Sequence, residues 1–166
     1  AELVRQGIRT TLDERDAYTP GWKFAEWELR GVPLRLEIGP KDIEKAQVLL
    51  VRRDTREKLP TPVDGLGHRV QQLLDLIQQA LFERARRFRD EHTGRTNSRD
   101  DFVRIMEGRP GFLIAPWCGS RECEAQIKSE TQATIRSLPL NVAASGGSCL
   151  QCGKPSTVDA YFAKAY

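Results

Sequence analysis

Four cysteines in the C-terminal half restrict the fold of this chain more than any other sequence feature. They form two close pairs, Cys118 with Cys123 and Cys149 with Cys152, and 25 residues (124–148) separate the pairs. Each pair can supply two corners of a tetrahedral metal site, and the intervening segment then folds over the metal. The alternative is four buried or unpaired thiols. The spacing favours a thiolate site, and because four thiolates leave no open position for water, a zinc ion there would be structural.

Glycines next to these cysteines support the metal interpretation. Gly119, Gly147 and Gly153 allow the backbone to bend, so that N–H groups can face the sulfur atoms. The sequence has no basic-then-apolar leader, and in such a chain cysteines are more often thiolates and metal ligands than disulfides. No apolar run approaches the roughly 20 residues of a membrane span, so no membrane partner is expected.

A short helix with clear signals at both ends is predicted between Thr19 and Gly31. Thr19 can cap the first free N–H groups, and Pro20 fits the first helical position. Gly31 suits the left-handed residue that follows a helix, and Pro33 prevents its continuation.

The two faces of this helix differ in character. One face carries residues that we expect to enter the core: Trp22, Ala25 and Leu29. The opposite face places Phe24 and Trp27 near the carboxylate of Glu28. Aromatic rings stack on unpaired bases and carboxylates accept hydrogen bonds from them, so this face is either buried between neighbouring elements or a nucleotide-binding surface.

The residues around this helix resemble a known family. Residues 13–40 read DERDAYTPGWKFAEWELRGVPLRLEIGP and are similar to the anticodon-binding domain of prolyl-tRNA synthetases of the type shared by archaea, the eukaryotic cytosol and some bacteria. The similarity continues through VLLVRRD at 48–54, PWCG at 116–119 and ECE at 122–124. It therefore covers nearly the whole chain.

The resemblance, together with strands that alternate with helices, implies an α/β fold in two parts. We expect an anticodon-binding domain over residues 1–91, with a mixed sheet flanked by helices, and a small α/β zinc-binding domain over 92–166. In the family a strand, the first part of a helix and a large catalytic domain come earlier, so we expect a fragment whose N-terminal strand is missing. Family members often hold zinc through cysteines near these positions.

The residue pattern gives coarse elements within these parts. Alternating or apolar runs predict strands at 8–12, 34–38, 48–51 and 111–117, with an edge strand at 56–63 because prolines cannot join a central ladder. Apolar residues at helical spacing predict a long helix over 64–90, and a polar boundary follows at 91–101. The C-terminal residues 161–166 are interpreted either as a helical tail that packs its aromatic rings locally or, from the resemblance, as a segment that reaches toward the catalytic domain.

The resemblance also implies which residues read the anticodon. Family members recognise the two guanines shared by proline anticodons. By position, Phe24 would stack on a base, and the base edges and nearby phosphates would be contacted by Glu28, Arg35, Asp42 and Lys58. The alternative for Glu28 and Arg35 is a mutual ion pair between helix and strand. The terminal carboxylate, on Tyr166, would reach toward the catalytic domain.

For the parent enzyme, the resemblance implies a cytoplasmic homodimer that joins proline to tRNA(Pro) through a prolyl-adenylate, using ATP and Mg²⁺. The segments with the ATP-binding arginines of that chemistry are absent from this sequence, so we name no catalytic residue and expect no aminoacylation by this chain alone. The net charge of +3 permits a nucleic-acid partner without requiring one. Two alternatives are a free-standing RNA-binding protein derived from the synthetase and an interaction module in which zinc only stabilises the fold.

Overall fold

The computed structural model describes residues 2–108, 111–140 and 146–165. The chain forms two compact units, Ala1–Arg84 and Ala85–Tyr166. Both units contain helices and strands, so the predicted α/β class is confirmed. In the described ranges, no helix combines the length and the apolar character that crossing a bilayer requires.

The first unit is built on a three-stranded sheet with helices around it. Its strands are ordered β1-β2-β3, and both pairs are antiparallel. The elements are α1 (Glu2–Arg5), α2 (Pro20–Leu29), β1 (Leu34–Glu37), α3 (Pro40–Glu44), β2 (Gln47–Arg52), β3 (Lys58–Pro62) and α4 (Leu66–Glu91), which continues past Arg84.

The core of this unit lies between one face of the sheet and the first half of α4. Val48 and Leu50 of β2 are 2% and 0% exposed, and they share a cluster with Val70 and Leu73 of α4. The long helix predicted over 64–90 is confirmed. Only its first half is covered by the core of this unit, and Phe88 in its second half is 63% exposed.

Two prolines lie on the outer edge of β3. The N–H of Val63 donates to the carbonyl of Ala46 at 2.9 Å. Counting back from Val63, every second residue of β3 therefore directs its backbone N–H and C=O toward β2. Pro60 and Pro62 are the residues in between, and their backbone groups point away from β2. Since proline lacks an N–H, it costs no ladder hydrogen bond there. The predicted edge strand is confirmed.

The strand predicted at 8–12 is wrong, because these residues are irregular. Ile8 is buried at 8% exposure and joins the core, whereas Leu12 is 80% exposed. A β-strand is stabilised by a hydrogen-bonded neighbour, and no strand in the described part of the chain pairs with 8–12. Alternation of apolar and polar residues indicates which side chains share a face, but it does not show that a neighbouring strand is available for pairing.

The second unit has a mixed four-stranded sheet in the order β4-β5-β7-β6. Strand β4 runs parallel to β5, and the other two pairs are antiparallel. The elements are β4 (Thr93–Arg95), α5 (Arg99–Gly108), β5 (Phe112–Trp117), α6 (Arg121–Thr131), β6 (Ala133–Ser137) and β7 (Val158–Lys164). Phe102 of α5 and Phe162 of β7 are both fully buried, and their rings meet edge to face with centroids 5.2 Å apart.

Residues 161–164 of the C-terminal tail belong to strand β7, so their interpretation as a helix is wrong. β7 lies between β5 and β6, so both of its edges are paired, and it has buried residues on both faces, as its mostly apolar sequence indicates. Its Asp159 is 4% exposed and accepts from Nη1 of Arg95 at 2.6 Å. Arg95 belongs to β4, a strand that lies within the polar stretch read as a boundary.

Candidate metal centre and nucleic-acid interface

The four cysteines meet at one point of the second unit. Sγ of Cys118 lies 3.7 Å from Sγ of Cys123 and 3.7 Å from Sγ of Cys152. All four sulfur atoms, including that of Cys149, lie within 4.8 Å of one another. Zinc–sulfur bonds of about 2.3 Å in a tetrahedron place sulfur atoms about 3.8 Å apart. The cluster therefore has the size that a metal ion needs.

The first cysteine pair is positioned by the turn from β5 to α6. Strand β5 ends at Trp117, and Gly119 has a φ of 87°, a conformation that glycine adopts without strain. Ser120 then caps α6, because its Oγ accepts from the N–H of Cys123 at 3.4 Å. Cys118 at the strand end and Cys123 in the first helical turn consequently point their sulfur atoms to the same place.

The second pair lies on a tight turn that is anchored to the sheet. The N–H of Gly153 donates to the carbonyl of Cys149 at 3.0 Å, and Gly153 has a φ of 72°. The N–H of Leu150 donates to the carbonyl of Pro116 in β5 at 2.9 Å. Leu150 is buried in the core of this unit, so the turn that carries Cys149 and Cys152 is fixed at both its backbone and its side chains.

The protein environment acts differently on the individual thiols. Burial opposes ionisation of Cys149, yet the N–H groups of Cys152 and Gln151 lower the pKa of its thiol to about 7. Burial raises the pKa of the Cys123 thiol to about 12. A bound cation favours thiolates and would offset this cost. The donor set and the N–H groups aimed at sulfur fit a metal ion with soft ligands, of which zinc is the common case.

Helix α2 begins as predicted, but its faces are reversed. Oγ1 of Thr19 accepts from the N–H of Trp22 at 3.4 Å. Trp22 is 45% exposed and Leu29 is 89% exposed, so the face expected in the core points to solvent. Phe24 and Glu28 lie on the half-buried face instead. The reversal has a physical cause, because the inner face is held by ion pairs and not by apolar packing.

One ion-pair network holds α2 to the loop before it. Asp13 accepts from Nε of Arg15 and from Nε1 of Trp27, both at 2.8 Å. Arg15 also donates to Glu26 at 2.5 Å. The Arg15 guanidinium, together with the Trp27 N–H, holds the pKa of Asp13 well below its usual range. This network was not predicted from the sequence, since no spacing rule connects a loop carboxylate to these partners.

A second cluster joins α2 to the sheet. Oε1 of Glu28 accepts from Nη1 of Arg35 at 2.8 Å, and Oε2 accepts from Nη1 of Arg56. The guanidinium of Arg35 lies 4.0 Å from the ring centroid of Phe24. The structure thus contains the Glu28–Arg35 ion pair that was the alternative to base recognition. Arg56 and Arg35 both lower the pKa of Glu28, with the larger effect from Arg56.

The register of the sheet places Lys58 in the same row as Arg35. Arg35 pairs with Val51 across β1 and β2, and Val51 pairs with Lys58 across β2 and β3. Strands lie about 4.8 Å apart, so the backbones of Arg35 and Lys58 are about 10 Å apart on one face. The structure therefore brings four of the predicted residues to one surface: Phe24, Glu28, Arg35 and Lys58.

Asp42 lies toward the other end of the sheet. Its carboxylate accepts from the N–H of Gly39 and from Nε2 of Gln47, each at 3.0 Å. Gln47 begins β2 and is four residues from Val51, or about 13 Å along the strand. Asp42 thus caps α3, and its pKa is lowered first by Gln47 and then by Gly39. Tyr166, the predicted terminal contact, lies outside the described residues.

Comparison with known proteins gives two family matches. Residues 1–73 match the family described as "Anticodon binding domain". Residues 99–166 match the family described as "Prolyl-tRNA synthetase, C-terminal". The first match contains the α2 surface, and the second contains all four cysteines.

Similar curated proteins cover the whole chain. "Proline--tRNA ligase 2" of Clostridioides difficile is 47% identical over 166 residues, which are 100% of this chain and 34% of that protein. "Proline--tRNA ligase" of Natranaerobius thermophilus is 46% identical over 165 residues, which are 98% of this chain and 34% of that protein. The chain thus spans about a third of the length of these relatives.

Proposed function

The chain belongs to the prolyl-tRNA synthetase family, and on that basis we propose that it recognises the anticodon of tRNA(Pro). The proposal assigns recognition to the surface formed by Phe24, Glu28, Arg35 and Lys58. The observation that carries it is the assembly of a carboxylate, a guanidinium and an aromatic ring on one half-buried face.

This set of groups matches the chemistry of guanine. Guanine donates from N1–H and from its N2 amino group, and both can be accepted by the carboxylate of Glu28. Its O6 and N7 accept from arginine or lysine, which Arg35 and Lys58 supply. The Glu28 and Arg35 side chains are 21% and 19% exposed, so each remains accessible to a base edge.

The Glu28–Arg35 ion pair is compatible with this role. A carboxylate oxygen has more than one lone pair and can accept from a base while it still accepts from Arg35. Arg35 also donates from Nε to Glu37 at 2.8 Å, so it is held from two sides. We propose that the pair orients Glu28 for guanine. Asp42 has a supporting role in this proposal, since it fixes the turn between β1 and α3.

We further propose that the cysteine cluster holds a structural zinc ion. Cys118, Cys123, Cys149 and Cys152 would be its ligands, and four thiolates leave no position at which water could react. The ion would join the β5–α6 turn to the turn at residues 148–155. Its contribution would be to the stability of the second unit.

For the whole enzyme we propose the activity named for its relatives, ligation of proline to tRNA. ATP and Mg²⁺ would serve the catalytic domain of the same polypeptide, and the enzyme would act as a cytoplasmic homodimer. The carboxylate of Tyr166 would reach that catalytic domain. Deleting Tyr166 from the whole enzyme should slow proline activation, and unchanged activation would exclude this last assignment.

A binding comparison tests the anticodon proposal. The chain is titrated with a tRNA(Pro) transcript and with transcripts in which either shared guanine is replaced by adenine. A base-specific contact discriminates by about 1–3 kcal/mol, so we expect affinity to fall about fivefold or more for each replacement. RNA binding without this preference would favour a general RNA-binding protein, and no RNA affinity would favour an interaction module.

A further inference from the structure

Arg56 has a backbone conformation that arginine rarely adopts. Its φ is 63°, in the left-handed region that glycine occupies without strain. The turn between β2 and β3 fixes this conformation. The N–H of Arg56 donates to the carbonyl of Arg52 at 3.0 Å, and Asp54 accepts from Nε and Nη2 of Arg52 at 3.1 and 2.8 Å.

Protein stability does not explain an arginine at this position. The Arg56 side chain is 69% exposed, and it pairs with the carboxylate of Glu28. Solvent around Arg56 reduces the stability that this half-exposed ion pair contributes, whereas a left-handed residue other than glycine is strained. When a strained conformation is retained although its side chain adds little stability, the side chain is expected to have a function.

The position of Arg56 on Glu28 indicates what that function is. Arg35 holds Oε1 of Glu28 from the inside, with a side chain that is 19% exposed. Arg56 holds Oε2 from the solvent side. A guanine that donates both N1–H and N2–H to this carboxylate must approach from solvent, where Arg56 now lies. The Arg56 guanidinium occupies this path, so it must move off Oε2 before a guanine can reach the carboxylate, even though the oxygen has a second lone pair.

We propose that Arg56 is an RNA phosphate contact, which pairs with Glu28 in the free protein and transfers to a backbone phosphate when the anticodon binds. The inference rests on the proposed anticodon recognition. Once released, the guanidinium stays tethered at the tip of the hairpin, beside the nucleotide that displaced it. A phosphate offers two acceptor oxygens to its fork, so the ion pair with Glu28 is replaced by another. No proton is transferred in this exchange.

The test compares Arg56→Gly, Arg56→Lys and Arg104→Ala in the whole chain. Arg104 is the matched control, because it is 77% exposed, pairs with Asp101 at 2.5 Å and belongs to the second unit. Arg56→Gly and Arg104→Ala each remove one exposed positive charge. Glycine also relieves the left-handed strain, so Arg56→Gly should unfold at the same temperature as the wild type or higher.

The readout is affinity for tRNA(Pro) as a function of salt. One phosphate contact contributes about 0.7 to 1 to the slope of log K against log salt concentration. We expect Arg56→Gly to reduce the slope for the guanine transcript by that amount and to weaken its binding several-fold. Arg56→Lys should keep the wild-type slope, because it keeps the charge, and Arg104→Ala should resemble the wild type.

Two results would overturn the inference. In one, Arg56→Gly and Arg104→Ala have equal slopes and affinities. In the other, Arg56→Gly loses affinity only for the guanine transcript at an unchanged slope, which would mean that Arg56 acts solely through Glu28. Failure of the anticodon proposal is seen separately, in a wild-type chain that does not distinguish guanine from adenine, and the inference would fall with it.

Discussion

Glu28 accepts a hydrogen bond of 2.8 Å from the guanidinium of Arg35, and this contact joins helix α2 to the first strand of the sheet. Arg35 is the centre of the cluster, since it also donates to Glu37 and lies over the ring of Phe24. A single side chain thus connects a helix, a strand and an aromatic ring. The consequences for binding and stability can be measured separately.

Replacing Arg35 by lysine should impair both properties. Lysine keeps the charge but lacks the planar fork that contacts two carboxylates, and it forms a weaker contact with the Phe24 ring. We expect a loss of about 1 kcal/mol in the free energy of unfolding, measured with urea, because the side chains are partly exposed. Affinity for tRNA(Pro) should fall about fivefold or more, because a base contact is worth about 1–3 kcal/mol. A variant with wild-type affinity would remove Arg35 from the interface.

The Asp13 network predicts a dependence of stability on acid. The pKa of Asp13 in the folded chain is below its usual range, chiefly through Arg15, so this group stabilises the fold above the unfolded pKa of about 3.9. The contribution is lost as the pH falls from there through the folded pKa.

The check is unfolding free energy between pH 7 and pH 2. Asp13→Asn should be less stable than the wild type at pH 7, and the difference should shrink toward pH 2. Asp16→Asn, an exposed carboxylate three residues away, is the matched control and should follow the wild type. A constant difference across the pH range would show that the Asp13 charge does not act in this way.

The metal proposal predicts how many zinc ions each chain binds and which substitution removes the zinc. We expect about one zinc ion per chain by elemental analysis, and chelation should expose four reactive thiols. Cys149→Ser should abolish this zinc at micromolar concentrations. Amide hydrogen exchange in β5, α6 and β7 should rise after chelation, while exchange in β2 and the first half of α4 stays low.

The matched variant for the cysteine is Ser148→Ala, next to the ligand but outside the cluster, and it should keep the metal. A chain that folds with the same protection at residues 112–137 with and without chelator would contradict a structural zinc. Thiols that react fully before chelation would contradict bound metal of any kind.

Local signals in the sequence predicted local structure well. Thr19 and Pro20 mark the start of α2, and glycines mark the turns at Cys118 and Cys152, because capping and left-handed turns depend on a few adjacent residues. The meeting of the four cysteines also followed from spacing, since one metal site constrains both pairs.

Features set by distant partners were not predictable in the same way. Arg56 contacts Glu28 across 28 residues of sequence, and no periodicity indicates that contact. The inner and outer faces of α2 were predicted the wrong way round, because hydrophobicity places Leu29 inside and Glu28 outside. In the structure, ion pairs decide which face is inside. Residues 8–12 alternate like a strand, but alternation cannot supply a neighbour to pair with.

The most direct test of the central claim is a double-mutant cycle between Glu28 and the N2 amino group of guanine. Inosine lacks that amino group, so guanine is replaced by inosine in the anticodon, and Glu28 by glutamine, alone and together. Glu37→Gln is the matched control, because Glu37 is 22% exposed and accepts from Arg35 at 2.8 Å, as Glu28 does from the same side chain.

If Glu28 reads guanine, inosine should weaken binding to the wild type by about 1.5–3 kcal/mol, the range for a hydrogen bond to a charged group. The same replacement should cost the Glu28→Gln variant much less and the Glu37→Gln variant as much as the wild type. An equal loss in all three proteins, or none in the wild type, would contradict recognition of the anticodon by Glu28.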